Sequence, residues 1–280
     1  MDMDVEARTS PPATAFARTK FATLLDGMLS AGTFTTLAAL IFWLISRFVI
    51  RAGGPRVIPF YVADASHWQK LAENDSVRVL EVGLVVLGFI VLMFPFELIF
   101  GRHNRWLALL RAFQFGFGLV TAALISDAFT NIGKIQVGGL RPDFYERCFG
   151  AGTAPPATSD LSTVVMSNSD CPVKDMDLLD QGRRSFPSGH ASLAFSGCFF
   201  MVLYLINYAR RLRRPLIAQV FVIIAFVPLG YAFHVAISRV TDFRHFPVDV
   251  VGGAIVGLIS SCLVFLWVLI LTEVGKAPQH

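Results

Sequence analysis

Long apolar runs separated by short polar stretches dominate the pattern of this chain. The first run, Gly27 to Ser46, contains no charge, carries Phe42 and Trp43 towards its end, and is closed by Arg47 and Arg51. The second extends from Val82 to Phe100, with Pro95 and Glu97 near its end. The third begins at Trp106 and reaches Ser126, with Arg111 close to its start and residues 127–133 prolonging it. The fourth is Ala191 to Ala209, the fifth starts at Pro215 and reaches Ile237, and the sixth is Val248 to Thr272. Crossing the hydrocarbon of a bilayer takes roughly 20 residues of α-helix. The runs are continuous rather than alternating, which disfavours a β-barrel. The pattern therefore predicts an all-α, polytopic bundle of six transmembrane helices over residues 27–272. A polar segment, 1–26, precedes it and a short tail, 273–280, follows. Residues 143–183 form a long connection rich in Ser, Thr, Pro and Asp, a length often associated with function.

Composition agrees with the pattern. Of 280 residues, 54% are hydrophobic and 16% charged, whereas soluble domains carry about 25% charged residues. The formal net charge of +4 is modest and suggests no nucleic-acid partner. Residues 1–26 are interrupted by charges and by Pro11 and Pro12, unlike a cleavable leader, so the first span is expected to act as an uncleaved anchor. Four cysteines are too few for a disulfide scaffold. Six spans place both termini on one side. The short basic turns at 102–105 and 210–214 fall on that side, which the positive-inside rule makes cytoplasmic. Arg47, Arg51 and Arg56 fall on the opposite side and vote the other way.

Three polar stretches then share the non-cytoplasmic face. They are residues 134–142, from Lys134 to Arg141 and Pro142; residues 184–190, containing Arg184, Ser188, Gly189 and His190; and residues 238–249, containing Arg239, His245 and Asp249. The second opens a helix, where free backbone N–H groups and the helix dipole favour an anion and glycine permits close approach. Arg offers a bidentate fork to two oxygens and Lys a point charge, so Lys134, Arg141, Arg184 and Arg239 suit a tetrahedral oxyanion such as phosphate. His245 and Asp249 stand four residues apart, on one helical face. The carboxylate can hold one ring nitrogen and leave the other as a nucleophile. His190 remains as general acid for the leaving oxygen. Taken singly, each has a blander reading: Lys134, Arg141 and Arg239 as interfacial anchors, His245 with Asp249 as a helix-stabilising pair. Glu97, Asp127 and His234 lie in or near spans and are left outside the site.

The three stretches together carry a family pattern. Lys134, six residues, Arg141-Pro142; Pro187-Ser188-Gly189-His190; and Ser238-Arg239, five residues, His245, three residues, Asp249 resemble the three-part motif of the type-2 phosphatidic acid phosphatase, or lipid phosphate phosphatase, family. The resemblance covers roughly residues 80–272. It implies a phosphomonoesterase that needs no metal or other cofactor and passes through a phosphohistidine, on a helical core similar to that of vanadium haloperoxidases. It implies His245 as nucleophile, Asp249 as its orienting partner and His190 as acid. Lys134, Arg141, Ser188, Gly189 and Arg239 then bind phosphate, with Arg184 as a further contact. Family members often carry Arg where this chain has Gly139, and His-Trp where it has Phe246-Pro247.

The expected substrate is a lipid phosphate: phosphatidate, lysophosphatidate, diacylglycerol pyrophosphate or a sphingoid phosphate. It would be met among membrane lipids on the luminal or extracellular side of an endomembrane or plasma membrane. The alternatives are action on a polar phosphate ester, or anion transport; charges at span ends rather than at the midplane count against transport. Cys148 and Cys171 share the non-cytoplasmic side, where disulfides persist, and are expected to form a bridge, with two free thiols as the alternative. Asn74-Asp75-Ser76 is a glycosylation sequon close to the second span.

Overall fold

The computed structural model describes residues 32–71, 74–100, 104–154 and 164–274. The expected polar segment 1–26, the start of the first span at 27–31, residues 102 and 103 of the turn at 102–105, and residues 275–280 of the tail lie outside them. Nine α-helices are described. Helix α1 is Phe34–Leu44 and runs on through a wider π turn at Ile45–Ile50; α2 is Val79–Phe100, α3 Arg105–Val137, α4 Phe144–Phe149, α5 Met176–Gly182, α6 Gly189–Arg211, α7 Pro215–Ile224, α8 Phe226–Thr241 and α9 Pro247–Val274.

Five stretches among the described residues are long and apolar enough to cross a membrane: Val79–Ile99, Arg105–Val137, Gly189–Arg211, Pro215–Thr241 and Pro247–Thr272. The expected six therefore become five plus the shorter apolar helix Phe34–Ile50. The fifth stretch is interrupted at Ala225. Pro228 has no N–H to give to the carbonyl of Ile224 and its ring crowds that carbonyl, so one helix ends and another begins there. Helix α3 outlasts its apolar run. Asn104 caps its start through the amides of Trp106 and Leu107. It ends only at Gly138, whose φ of +64° suits a residue without Cβ, packed against the Arg56 carbonyl. That added length brings Lys134 into its last turn.

Helix α6 is the hub, touching α2, α3, α7, α8 and α9. Lipid is as apolar as a leucine side chain, so helices in a membrane associate through close approach of small residues and interhelical hydrogen bonds. The α6–α9 seam has both. A Cβ on Gly257 would lie 2.5 Å from the Ser192 carbonyl, and one on Gly253 would run into the Ser188 carbonyl. Ser261 donates to the Ser196 carbonyl at 2.6 Å. Between α3 and α6, Thr130 donates to Ser192 at 2.9 Å and Ser126 to the Ser192 carbonyl at 3.2 Å. Further along, Phe115, Phe200, Tyr204 and Phe265 interlock with ring centroids 5.0 to 5.8 Å apart. Leu84, Leu87, Val91, Ile255, Ile259 and Leu263 face outwards.

The long connection is not structureless. Its described part folds with residues 52–78 into a cap on one end of the bundle. Strand β1, Phe60–Tyr61, pairs antiparallel with β2, Val164–Val165. Phe60, Phe144, Val165 and Leu179 form a small core, and Cys148 and Cys171 are disulfide-bonded within it, 4.9 Å apart at Cα. Arg147 forks onto Asp143 at 2.7 and 2.8 Å. Arg183 lies over the Phe144 ring and donates to Asn168 and to the Ile58 carbonyl. Two buried arginines are thus engaged by the cap, although Arg183 Nη2 has no partner among the described residues.

Candidate active site

Backbone hydrogen bonds stitch the three polar stretches together. The Arg141 amide donates to the Gly182 carbonyl at 2.8 Å and the Ser185 amide to the Gly139 carbonyl at 2.9 Å. The Ser188 amide donates to the Asp249 carbonyl at 2.9 Å, which ties the start of α6 to the start of α9. The Phe186–Pro187 peptide is cis. Gly139 has only ordinary contacts with Phe186 at its Cβ position. Pro247 starts α9, and the Phe246 ring lies edge-on to His67 at 5.4 Å.

A cavity of about 370 Å³ opens where these stretches meet, at the capped end. Of the expected residues, Lys134, Arg141, Arg184, Gly189, His190, Arg239 and His245 line it. Ser188 and Asp249 are buried beside it rather than in its wall. Gly189 lets the Lys134 ammonium lie close to the backbone: a Cβ there would stand 3.1 Å from its nitrogen.

His245 is 4% exposed. Its amide is held by the Arg239 carbonyl at 3.1 Å. Asp249 Oδ2 lies 3.8 Å from His245 Nδ1, an ion-pair distance rather than a hydrogen bond. The same oxygen accepts from Ser185 Oγ at 2.6 Å and from the Phe246 amide at 2.9 Å. Ser185 Oγ is itself 3.5 Å from His245 Nδ1. The expected direct His245–Asp249 contact is therefore shared with Ser185, which completes a chain from ring to carboxylate. Burial pushes the His245 pKa well below its ordinary value. Asp249 opposes that shift, while the positive charges of Arg141 and Lys134 add to it. A neutral imidazole tied at Nδ1 keeps its Nε2 lone pair available.

Four buried polar atoms in or beside the cavity have no partner among the described residues: Arg141 Nε, Arg184 Nε, Ser188 Oγ and His190 Nε2. Buried polar groups are rarely left so, and these suit an oxyanion with an ester oxygen near His190. Burial and the neighbouring Arg147 bring the Arg141 pKa down to about 10, which leaves it a cation at neutral pH.

Arg239 is 1% exposed. It reaches Asp242 at 2.9 Å and Asp75 at 3.3 Å. Asp75 also holds Arg244 at 2.8 Å, and these two arginines keep its carboxyl below the usual range against its desolvation. Ser76 donates to Asp242 from its backbone and its hydroxyl. The segment holding the sequon Asn74-Asp75-Ser76 is thus docked on the site, with Asn74 exposed.

Sequence reasoning missed several wall residues. Arg47 and Arg51, taken as evidence about orientation, line the cavity. Their charge therefore has an explanation in the site besides the one from membrane orientation. Asp127, set aside beforehand, also lines it and accepts from Trp43 Nε1 at 2.6 Å and Asn131 at 2.9 Å. Arg244 was legible as the neighbour of His245, and Ser185 lay within the second polar stretch without a role; nothing local pointed Asp75 to the site. Glu97 does not line the cavity: it is buried elsewhere and accepts from Tyr204 at 3.1 Å.

Comparison with known proteins gives matches that agree with this arrangement. Residues 115–273 match the PAP2 superfamily. The chain is 37% identical over 150 residues to Lipid phosphate phosphatase 2 of Arabidopsis thaliana, covering 53% of this chain and 49% of that protein. It is 30% identical over 187 residues to Probable diacylglycerol pyrophosphate phosphatase 1 of Schizosaccharomyces pombe, covering 64% and 62%. It is 35% identical over 144 residues to Diacylglycerol pyrophosphate phosphatase 1 of Saccharomyces cerevisiae, covering 51% and 48%. The matches thus span about half to three-fifths of the relatives' length. No solved structure matches.

Proposed function

Because the chain belongs to the PAP2 superfamily, we propose that it is an integral-membrane lipid phosphate phosphatase, acting through a phosphohistidine without a metal ion. The observation that carries this reading is the set of unpartnered atoms, Arg141 Nε, Ser188 Oγ and His190 Nε2, gathered with the buried neutral imidazole of His245. The names of the relatives support a lipid phosphate as substrate.

His245 Nε2 attacks phosphorus, an N–P bond forms and the ester P–O bond breaks. The departing lipid oxygen takes the proton of His190. Water then attacks the phosphohistidine while His190 accepts its proton, which releases inorganic phosphate and restores both rings. Lys134 and Arg141 neutralise the phosphoryl oxygens as charge moves onto them, the term that dominates such reactions. Ser185 and Asp249 hold the His245 ring and stabilise its charged forms. Arg239, with Asp75 and Asp242 on its other N–H groups, contributes its remaining donors.

The donor set supports the reading that no metal is needed. The walls present mostly cations, and among the described residues no three His, Cys, Asp or Glu side chains converge as a metal site. The test is phosphate release from a panel of lipid phosphates by purified protein in detergent with chelator present. Turnover that persists with chelator and stops with vanadate supports the mechanism. Activity lost to chelator and restored by Mg²⁺ removes it.

A further inference from the structure

The cations of the cavity divide according to their counter-ions. Arg239 and Arg244 share Asp75, with Asp242 and Asp143 on their other sides, and Arg184 leans on Asp180 at 3.5 Å. Lys134, Arg141, Arg47 and Arg51 have no carboxylate within 4.0 Å among the described residues. Lys134 and Arg141, with the start of α6, already provide for one phosphate. Arg47 and Arg51 are in excess of that need. They come from the first apolar helix, outside residues 115–273, and stand four residues apart. Arg184 joins them, with a buried Nε that has no partner. Burial and the like charges of Arg184 and Arg47 hold the Arg51 pKa below its ordinary value, against a smaller opposing pull from Asp127 and Asp177. A cluster of like charges in a partly desolvated wall is costly unless an anion joins it. Space is available as well: the cavity's 370 Å³ is many times the roughly 30 Å³ share of one water molecule.

We propose that Arg47, Arg51 and Arg184 form a second oxyanion subsite, which holds a second phosphoryl group of the substrate and favours a lipid ending in a diphosphate over a monophosphate. The inference rests on the phosphatase reading of the same cavity. His245 Nε2 attacks the terminal phosphorus, the N–P bond forms and the bridging P–O bond breaks. The bridging oxygen departs with the inner phosphate as a lipid phosphomonoester and takes the proton of His190. Water then releases inorganic phosphate. In a loose transition state, negative charge moves through the bridging oxygen onto the inner phosphoryl group, where the three guanidiniums act.

Binding and turnover test this separately in the full-length protein in detergent. Inorganic pyrophosphate should bind His245→Ala protein at least tenfold more tightly than inorganic phosphate by calorimetry. That advantage should vanish when Arg47→Gln and Arg51→Gln are added, and be largely kept with Arg47→Lys and Arg51→Lys, which also guards against misfolding of the Gln pair. Equal affinities, or an advantage that survives the Gln pair, overturn the subsite. In turnover, the Gln pair should lower the ratio of kcat/KM for diacylglycerol pyrophosphate to that for phosphatidate at least tenfold; an equal loss on both substrates overturns it. If phosphatidylglycerol stimulates phosphatidate turnover only while both arginines are present, and pyrophosphate has no advantage, the anion is a neighbouring membrane lipid and the diphosphate assignment fails. Should the wild type release phosphate from neither lipid, the phosphatase reading falls while the calorimetry still decides the subsite.

Discussion

His245 and Ser185 carry the sharpest predictions at the scale of single residues. His245→Ala should reduce turnover at least about 10³-fold, as loss of a nucleophile does, while leaving phosphate binding measurable. Ser185→Ala should be milder. It removes the bridge to Asp249 but not the nucleophile, so kcat should fall on the order of tenfold, about 1.4 kcal/mol, with KM nearly unchanged; a wild-type kcat would exclude Ser185 from the chain. The His245 shift has a pH consequence of definite sign. Its folded pKa is depressed, so the ring stays neutral and nucleophilic as pH falls through about 6.5, where an unfolded histidine protonates. The acid limb of kcat/KM from this group should lie below that value. The same linkage makes the fold lose stability on acidification, because there only the unfolded state takes up the proton. Imidazole ¹⁵N shifts of His245 showing a charged ring at pH 6 would refute this.

Small residues decide how closely elements approach. Gly253 and Gly257 let α9 rest on the backbone of α6, and the Ser188 carbonyl met at Gly253 belongs to the second polar stretch. Gly253→Leu should cost at least about 1–3 kcal/mol by overpacking and shift the start of α6 away from α9. A lower thermal midpoint should therefore accompany weakened vanadate inhibition; a midpoint and inhibition like the wild type's would show that the seam tolerates bulk. Asp249, in the first turn of α9, accepts from Ser185 just ahead of α6, so the same seam supports the ring of His245.

For the whole molecule, sidedness determines which leaflet is served. The cavity lies at the capped end, opposite the turn of Arg210, Arg211, Arg213 and Arg214. With that turn cytoplasmic, the site faces the lumen or the exterior, where the Cys148–Cys171 bridge is also chemically at home. Of the three arginines that vote the other way, Arg47 and Arg51 line the cavity, which gives their charge a second explanation, whereas Arg56 does not line it and still votes for the reverse. An impermeant thiol reagent applied to sealed vesicles of outside-out orientation should label a cysteine introduced at the exposed Thr241 and spare one at the exposed Arg213. The reverse pattern would move the site to the cytoplasmic leaflet.

The sequence by itself determined the helical class, the positions of the long apolar stretches and the three polar stretches that meet, because spans and motif spacings are local and periodic. Lys134, Arg141, His190, Arg239 and His245 were legible in that way. Tertiary structure alone decided the rest. The reach of Arg47 and Arg51 into the wall depends on a helix that continues past its apolar run, and the placing of Asp75 depends on a loop docked by Ser76 on Asp242. Ser185 enters the His245–Asp249 pair only because α6 and α9 pack on glycine. Each is a contact between residues far apart in the chain, fixed by how closely backbones approach and by which charge finds which counter-ion, and no local pattern of residues encodes such a pairing.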